Sequence, residues 1–304
     1  MKKSAIFLIS VIFFASCTNK SDDLYKEAIA KLNAKEYDAA IAKFDSVILL
    51  DDKYIDAYFN RGNAKYDIGD YEGSLSDYNK TVTLTTDKTV EPVVYLNRGD
   101  AYGELSKWDE ALRDYTKALE IKPTYDSALI GRGRIYLAMG DLPNAQIDID
   151  KALTMNANSA SAHYIMGDIS FNQENYVKSI AEYGKAISLN PTESVYFIDR
   201  GDAYYNTGDY NSAITDYTKA LEMRPDYPKL YVLRGDALDD AGKPNEAIED
   251  YNKAIAMDSA YASAYYNRGI TLRKLKNKNA ACADFIKADE LGDKNAAGYL
   301  DECQ

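Results

Sequence analysis

The chain carries one histidine, His163, and three cysteines, Cys17, Cys282 and Cys303. A lone histidine can act as a general base. It cannot supply the histidine pair that many zinc sites require, and no Cys-x-x-Cys run is present. No glycine-rich phosphate loop occurs. Asp239 and Asp240 could attract a cation weakly, but adjacent carboxylates on a helix point apart. These residues form no catalytic constellation, so no enzyme, cofactor or metal is expected. What recurs instead is charge. Arg61, Arg98, Arg132, Arg200, Arg234 and Arg268 are each followed sixteen residues later by Asp77, Asp114, Asp148, Asp216, Asp250 and Asp284.

The elements that carry these charges repeat. Gly62, Gly99, Gly133, Gly167, Gly201, Gly235 and Gly269 lie 37, 34, 34, 34, 34 and 34 residues apart. A fixed period of this size is the mark of a stacked array. With each glycine at position 8 of a 34-residue frame, the repeats are 21–54, 55–91, 92–125, 126–159, 160–193, 194–227, 228–261 and 262–295. Position 8 of the first repeat is Ala28. Small or apolar residues at positions 4, 8 and 11 make one face of a first helix, and those at 20, 24 and 27 make one face of a second. Gly-Asp-Tyr, as in Gly69-Asp70-Tyr71 and Gly208-Asp209-Tyr210, separates them. Its glycine suits the end of one helix and its aspartate caps the next.

The pattern resembles the tetratricopeptide repeat family over residues 21–295. The resemblance implies an all-α, right-handed superhelical solenoid of about eight helical hairpins, with the first helices lining a concave groove. Residues 296–304 restart the frame with Tyr299 at position 4 and Cys303 at position 8, which predicts a half-repeat that caps the last hairpin. The second repeat carries three extra residues within 83–91. Its threonines and β-branched residues predict a longer loop and the softest joint of the array.

Residues 1–16 have a basic start and a short apolar run, as a secretory signal does, and the run is too short to span a membrane comfortably. Phe14-Ala15-Ser16-Cys17 resembles a bacterial lipobox. That resemblance implies cleavage before Cys17, lipidation of its thiol and a membrane anchor, followed by a polar tether over 17–23. Thr18, by resemblance to the enterobacterial sorting rule, points to the outer membrane. Lys20-Ser21-Asp22-Asp23 is loosely similar to the export tag of Bacteroidota surface lipoproteins, and the periplasmic or surface side stays open. With Cys17 assigned, Cys282 and Cys303 remain, either as a disulfide suited to an oxidising compartment or as two buried thiols. Cys282 sits on the second helix of the last repeat, so a bond to Cys303 would staple the cap.

Members of the resembled family usually have leucine at position 7, where six repeats here have arginine. In a hairpin that turns near position 16, position 7 faces position 23, so the Arg and Asp columns should pair. Repeat one has Glu27 and Lys43, the same pair with reversed sign. Repeat five, with Met166 and Glu182, is the exception.

A net charge of −12 disfavours nucleic acid as a partner. Positions 2, 5, 9 and 12 share one face of the first helix, the face from which the family's groove is lined. They give Phe59, Asn63, Tyr66, Asp100, Tyr164, Asp168, Phe171, Ile198, Asp202, Tyr205, Asp236 and Asp239 as partner-binding candidates. Aromatic anchors beside carboxylates suit a protein or peptide with basic and apolar side chains. The family's carboxylate clamp is missing, because no repeat has lysine at position 5. A glycan-capturing lipoprotein is the alternative. It is disfavoured because the sugar sites of such proteins are built by long insertions, and this chain has one short insertion and a single tryptophan, Trp108.

Overall fold

The computed structural model describes residues 20–85 and 91–303. The signal segment, Cys17 and most of the extra loop of repeat two lie outside the described residues. Every described element is helical, in consecutive hairpins.

Two compact units divide the chain between Asn156 and Ala157. The first holds four hairpins: α1 (Lys20–Asn33) with α2 (Tyr37–Leu50), α3 (Ile55–Asp67) with α4 (Tyr71–Leu84), α5 (Pro92–Glu104) with α6 (Trp108–Ile121), and α7 (Asp126–Ala138) with α8 (Leu142–Met155). The second holds α9 (Ala160–Asn172) with α10 (Tyr176–Leu189), α11 (Ser194–Thr207) with α12 (Tyr210–Met223), α13 (Pro228–Asp240) with α14 (Pro244–Met257), and α15 (Ala262–Lys274) with α16 (Lys278–Glu290). Within each unit, the second helix of one hairpin packs on the first helix of the next.

The repeated residues set the hairpin geometry. A Cβ added to Gly201 would lie 2.7 Å from the Tyr217 ring, and at Gly235 it would lie 2.6 Å from Tyr251. The position-8 glycine therefore lets the second-helix aromatic lie against the first-helix backbone. Tyr78, Tyr115, Tyr183, Tyr217, Tyr251 and Phe285 occupy this slot and are almost fully buried. Gly208, with φ of 82°, ends α11, and the Asp209 side chain then accepts from the Ser212 N–H to start α12.

One local reading differs from the structure. Lys20–Asp23, assigned to the tether, form the first turn of α1, where Asp22 and Asp23 suit the positive end of the helix dipole and Ser21 is buried. The C-terminal capping half-repeat is helical as expected, but of the 3-10 type, η1 (Ala296–Cys303). Eight residues containing Gly298 are too few to sustain an α-helix by their own propensity. The structure joins Cys303 to Cys282 of α16 by a disulfide, with the Cα atoms 5.4 Å apart.

Candidate functional site

Two polar links recur in the hairpins, one on either side of the glycine, and repeats two, three, six and seven carry both. The first joins the first-helix arginine to the second-helix aspartate. Arg61 meets Asp77, Arg98 meets Asp114, Arg132 meets Asp148, Arg200 meets Asp216, Arg234 meets Asp250 and Arg268 meets Asp284. In all six, Nε donates to Oδ2 and Nη2 to Oδ1, at 2.5–2.9 Å. The aspartate side chains are at most 8% exposed. Bidentate geometry is what allows such charges to leave water without being stranded.

Five of these arginines also reach backwards; Arg200 instead faces Gly184, which has no side chain to accept. The five Nη1 groups donate to Asp45, Asn79, Thr116, Thr218 and Asn252, each on the second helix of the preceding repeat. One guanidinium thus closes its own hairpin and ties it to its neighbour. Repeat one replaces this pair with Glu27 and Lys43, which stand more exposed. In repeat five, His163 takes over. Its Nδ1 lies 2.7 Å from Glu182 Oε2, and its Nε2 lies 3.0 Å from the Ala157 carbonyl oxygen. Both ring nitrogens are engaged in packing the hairpin, so the histidine holds structure.

The second link joins position 24 to position 9. Tyr78 donates to Asn63, Tyr115 to Asp100, Tyr183 to Asp168, Tyr217 to Asp202 and Tyr251 to Asp236, at 2.6–2.8 Å. The carboxylates read as a groove line are therefore gripped from behind by the core.

The twelve candidates divide on burial. Phe59, Asn63 and Asp100 are buried in the hairpins, which leaves little of their side chains for a partner to touch. Phe59 packs on Tyr78 in the core. Asn63 accepts from Tyr78 and Asn97, and Asp100 from Tyr115 and Arg134. Tyr66, Phe171 and Tyr205 each meet a second-helix tyrosine edge-on. Tyr164 donates to Asp199, and Tyr205 to Asp240, on the next first helix. Ile198 packs beside the core around Phe197, and Asp239 accepts from Lys274.

Asp168, Asp202 and Asp236 occupy one repeat position on α9, α11 and α13. Their hydrogen bonds come from neutral donors: Tyr183, Tyr217, and Tyr251 with Asn267. Among the described residues, none of the three forms an ion pair. Burial raises Asp168 to about 7 and Asp236 to about 6, and it also raises Asp202. Asp199 is a residue that the sequence reading missed. It faces the same group, accepts from Tyr164 and is raised by burial to about 6. The signal for it lay in position 6, where Asn60, Asn97 and Asn267 are also polar.

These hairpins match known repeats in sequence as well as shape. The family model for the tetratricopeptide repeat matches residues 25–87, 130–194, 198–262 and 232–296, and a second model of the same description matches 92–125. The chain belongs to the tetratricopeptide repeat family. No curated protein sequence matches it. Among solved structures, it is similar to a tetratricopeptide repeat protein from Parabacteroides merdae ATCC 43184. The TM-score is 0.63 at 22% identity, over 83% of this chain and 98% of that one. It is also similar to YrrB, described as a tetratricopeptide repeat protein with an unusual peptide-binding site. That match has a TM-score of 0.56 at 22% identity and covers 62% of this chain and 97% of YrrB. The MamA protein gives a TM-score of 0.50 at 26% identity over 57% of this chain and 94% of MamA. Tetratricopeptide repeat proteins are in general protein-interaction scaffolds, and the repeats of this chain support that class.

Proposed function

We propose that the chain is a non-enzymatic scaffold that holds a protein or peptide partner with basic and apolar side chains. The partner lies along the first helices α9, α11 and α13. The observation that carries this reading is the contrast between Asp100 and its counterparts. Asp100 already has the Arg134 guanidinium, whereas Asp168, Asp202 and Asp236 have neutral donors only. Desolvated carboxylates without a paired cation are costly; Lys229 and Lys274 act on Asp202 and Asp236 only from beyond ion-pair distance, and a lysine or arginine from a partner relieves that cost. The half-buried rings of Phe171 and Tyr205 supply apolar contact nearby. The peptide-binding site named for YrrB belongs to a protein of the same fold and supports the class of ligand.

Cys17 would tether this scaffold to a bacterial envelope as a lipoprotein, with the outer membrane as the favoured site. That part rests on the lipobox-like residues alone, outside the described region. Intact-mass measurement of membrane-extracted protein tests it, since a lipidated Cys17 adds the mass of its acyl chains.

Binding of a fluorescent library of lysine- and leucine-rich peptides tests the groove. The isosteric variant Asp168→Asn/Asp202→Asn/Asp236→Asn should bind about tenfold or more weakly, given the strength of charge-assisted contacts. Unchanged affinity in the folded triple variant removes the assignment.

A further inference from the structure

The C-terminal cap holds a site separate from the proposed groove. A cavity of about 260 Å³ opens beside the disulfide, lined by Cys282, Cys303, Phe285, Tyr299, Arg273, Lys276, Lys278 and Glu302. Both cysteines are partly accessible. Three of the lining side chains are cationic, and one of them, Arg273, is paired with Glu302, so Lys276 and Lys278 supply the net positive charge. Lys278 stands one helical turn before Cys282 on α16.

We propose that Cys282–Cys303 is a reducible latch, opened in the folded protein by an external dithiol, and that its opening releases η1 from the last hairpin. Thiol–disulfide exchange needs a thiolate that can approach a sulfur in line and a leaving thiolate that is stabilised. The cavity gives the approach, and the cations favour both anions. A thiolate of the dithiol attacks Cys303 Sγ, forms a mixed disulfide and expels Cys282 Sγ as a thiolate near Lys278. The second thiolate of the dithiol then attacks its own bound sulfur and releases Cys303. The two cysteines end as thiols, having gained two electrons and two protons. The dithiol leaves as its disulfide.

Release is expected because the other contacts of the cap are few. Tyr299 stacks on Phe285 with ring centroids 4.5 Å apart, meets Tyr266 edge-on at 6.0 Å and lies under the Arg273 guanidinium at 5.3 Å, and Arg273 pairs with Glu302 at 2.9 Å. The Arg273–Glu302 pair is half exposed, and such pairs contribute little. A single eight-residue 3-10 segment has weak hydrogen bonding of its own. Without the covalent link, the contacts of a single ring, Tyr299 with Phe285, Tyr266 and Arg273, and the buried Ala296 are left to keep the segment seated.

The oxidised full chain is treated with dithiothreitol, quenched with N-ethylmaleimide and digested, and the Cys282 and Cys303 peptides are quantified. The native disulfide should open at a rate within about tenfold of that in the urea-unfolded chain. Opening only at the rate of global unfolding overturns the proposal. Hydrogen exchange over 293–303 should then rise about tenfold or more, with α9–α14 unchanged, and the Cys282→Ser/Cys303→Ser variant should reproduce this. Retained protection in both samples also overturns it. Lys278→Gln should slow attack by 2-mercaptoethanesulfonate more than attack by 2-mercaptoethanol. Equal rates in variant and parent with both thiols overturn the role given to the cations.

Discussion

The Tyr217 hydroxyl donates to Asp202 Oδ1 at 2.6 Å, from a ring that lies against the Gly201 backbone. The residue that fills the core is thus also the residue that aims a carboxylate. Packing and surface charge are joined in one side chain, and the arrangement recurs at Tyr183 with Asp168 and at Tyr251 with Asp236. Tyr217→Phe keeps the ring and removes the donor. It should cost about 1.5–3 kcal/mol, the value of a hydrogen bond to a charged group. Urea denaturation measures the loss, and parent-like stability in the phenylalanine variant would show that water replaces the hydroxyl.

The Arg200–Asp216 pair predicts a non-additive result. Arg200→Leu strands a buried carboxylate and should cost about 3–5 kcal/mol, whereas Arg200→Leu with Asp216→Leu should cost far less. A double-mutant cycle on urea unfolding reads the coupling. Equal losses in the single and double variants would mean that the two charges act independently.

Gly201→Ala places a Cβ 2.7 Å from the Tyr217 ring, so helix and ring must separate. The expected cost is about 1–3 kcal/mol, against a gain of up to about 1 kcal/mol from helix propensity. Gly184, in the middle of α10, where the nearest atom to an added Cβ is the Arg200 Nη1 at 3.6 Å, is the control. A thermal melt in which Gly201→Ala is the more stable of the two contradicts the packing role.

Acid should stabilise the second unit over a defined window. Asp168 is raised to about 7, and Asp199 and Asp236 to about 6, all by burial first. A carboxyl raised in this way binds its proton more tightly folded than unfolded. Its contribution is fully present below about pH 4, the unfolded value, and is lost as the pH rises through about 6 to about 7. The urea midpoint should fall across that interval, and Asp168→Asn with Asp199→Asn and Asp236→Asn should flatten the slope. A midpoint that climbs with pH in the parent chain would reject the assignment.

Much of the hairpin was legible in the sequence because its causes are local and repeated. The glycine column announces a close approach, Gly-Asp announces a turn, and the Arg and Asp columns face each other once a hairpin is assumed. The partner surface was less legible for a physical reason. A helical face is set by spacing, but burial is set by the neighbouring repeat. Phe59 and Tyr164 share position 5, yet Phe59 sinks into the core while Tyr164 stays partly open and reaches Asp199. Asp199 was overlooked because its burial depends on Tyr164, thirty-five residues earlier. The helix type of the cap was hidden for a similar reason. So short a segment takes its form from its anchors, here the Tyr299 ring on Phe285 and the bond from Cys303 to Cys282.

The backward reach of the arginines bears on how such a chain can lengthen. Their acceptors on the preceding repeat are an aspartate, two asparagines and two threonines, so many side chains serve. A duplicated segment of 34 residues that carries the arginine would arrive with its donor in place and, beside most repeats, find an acceptor already standing on its new neighbour. Gene-level growth by whole units therefore meets little matching problem at the seam, and the chain keeps its stack even where Arg200 finds only Gly184 behind it.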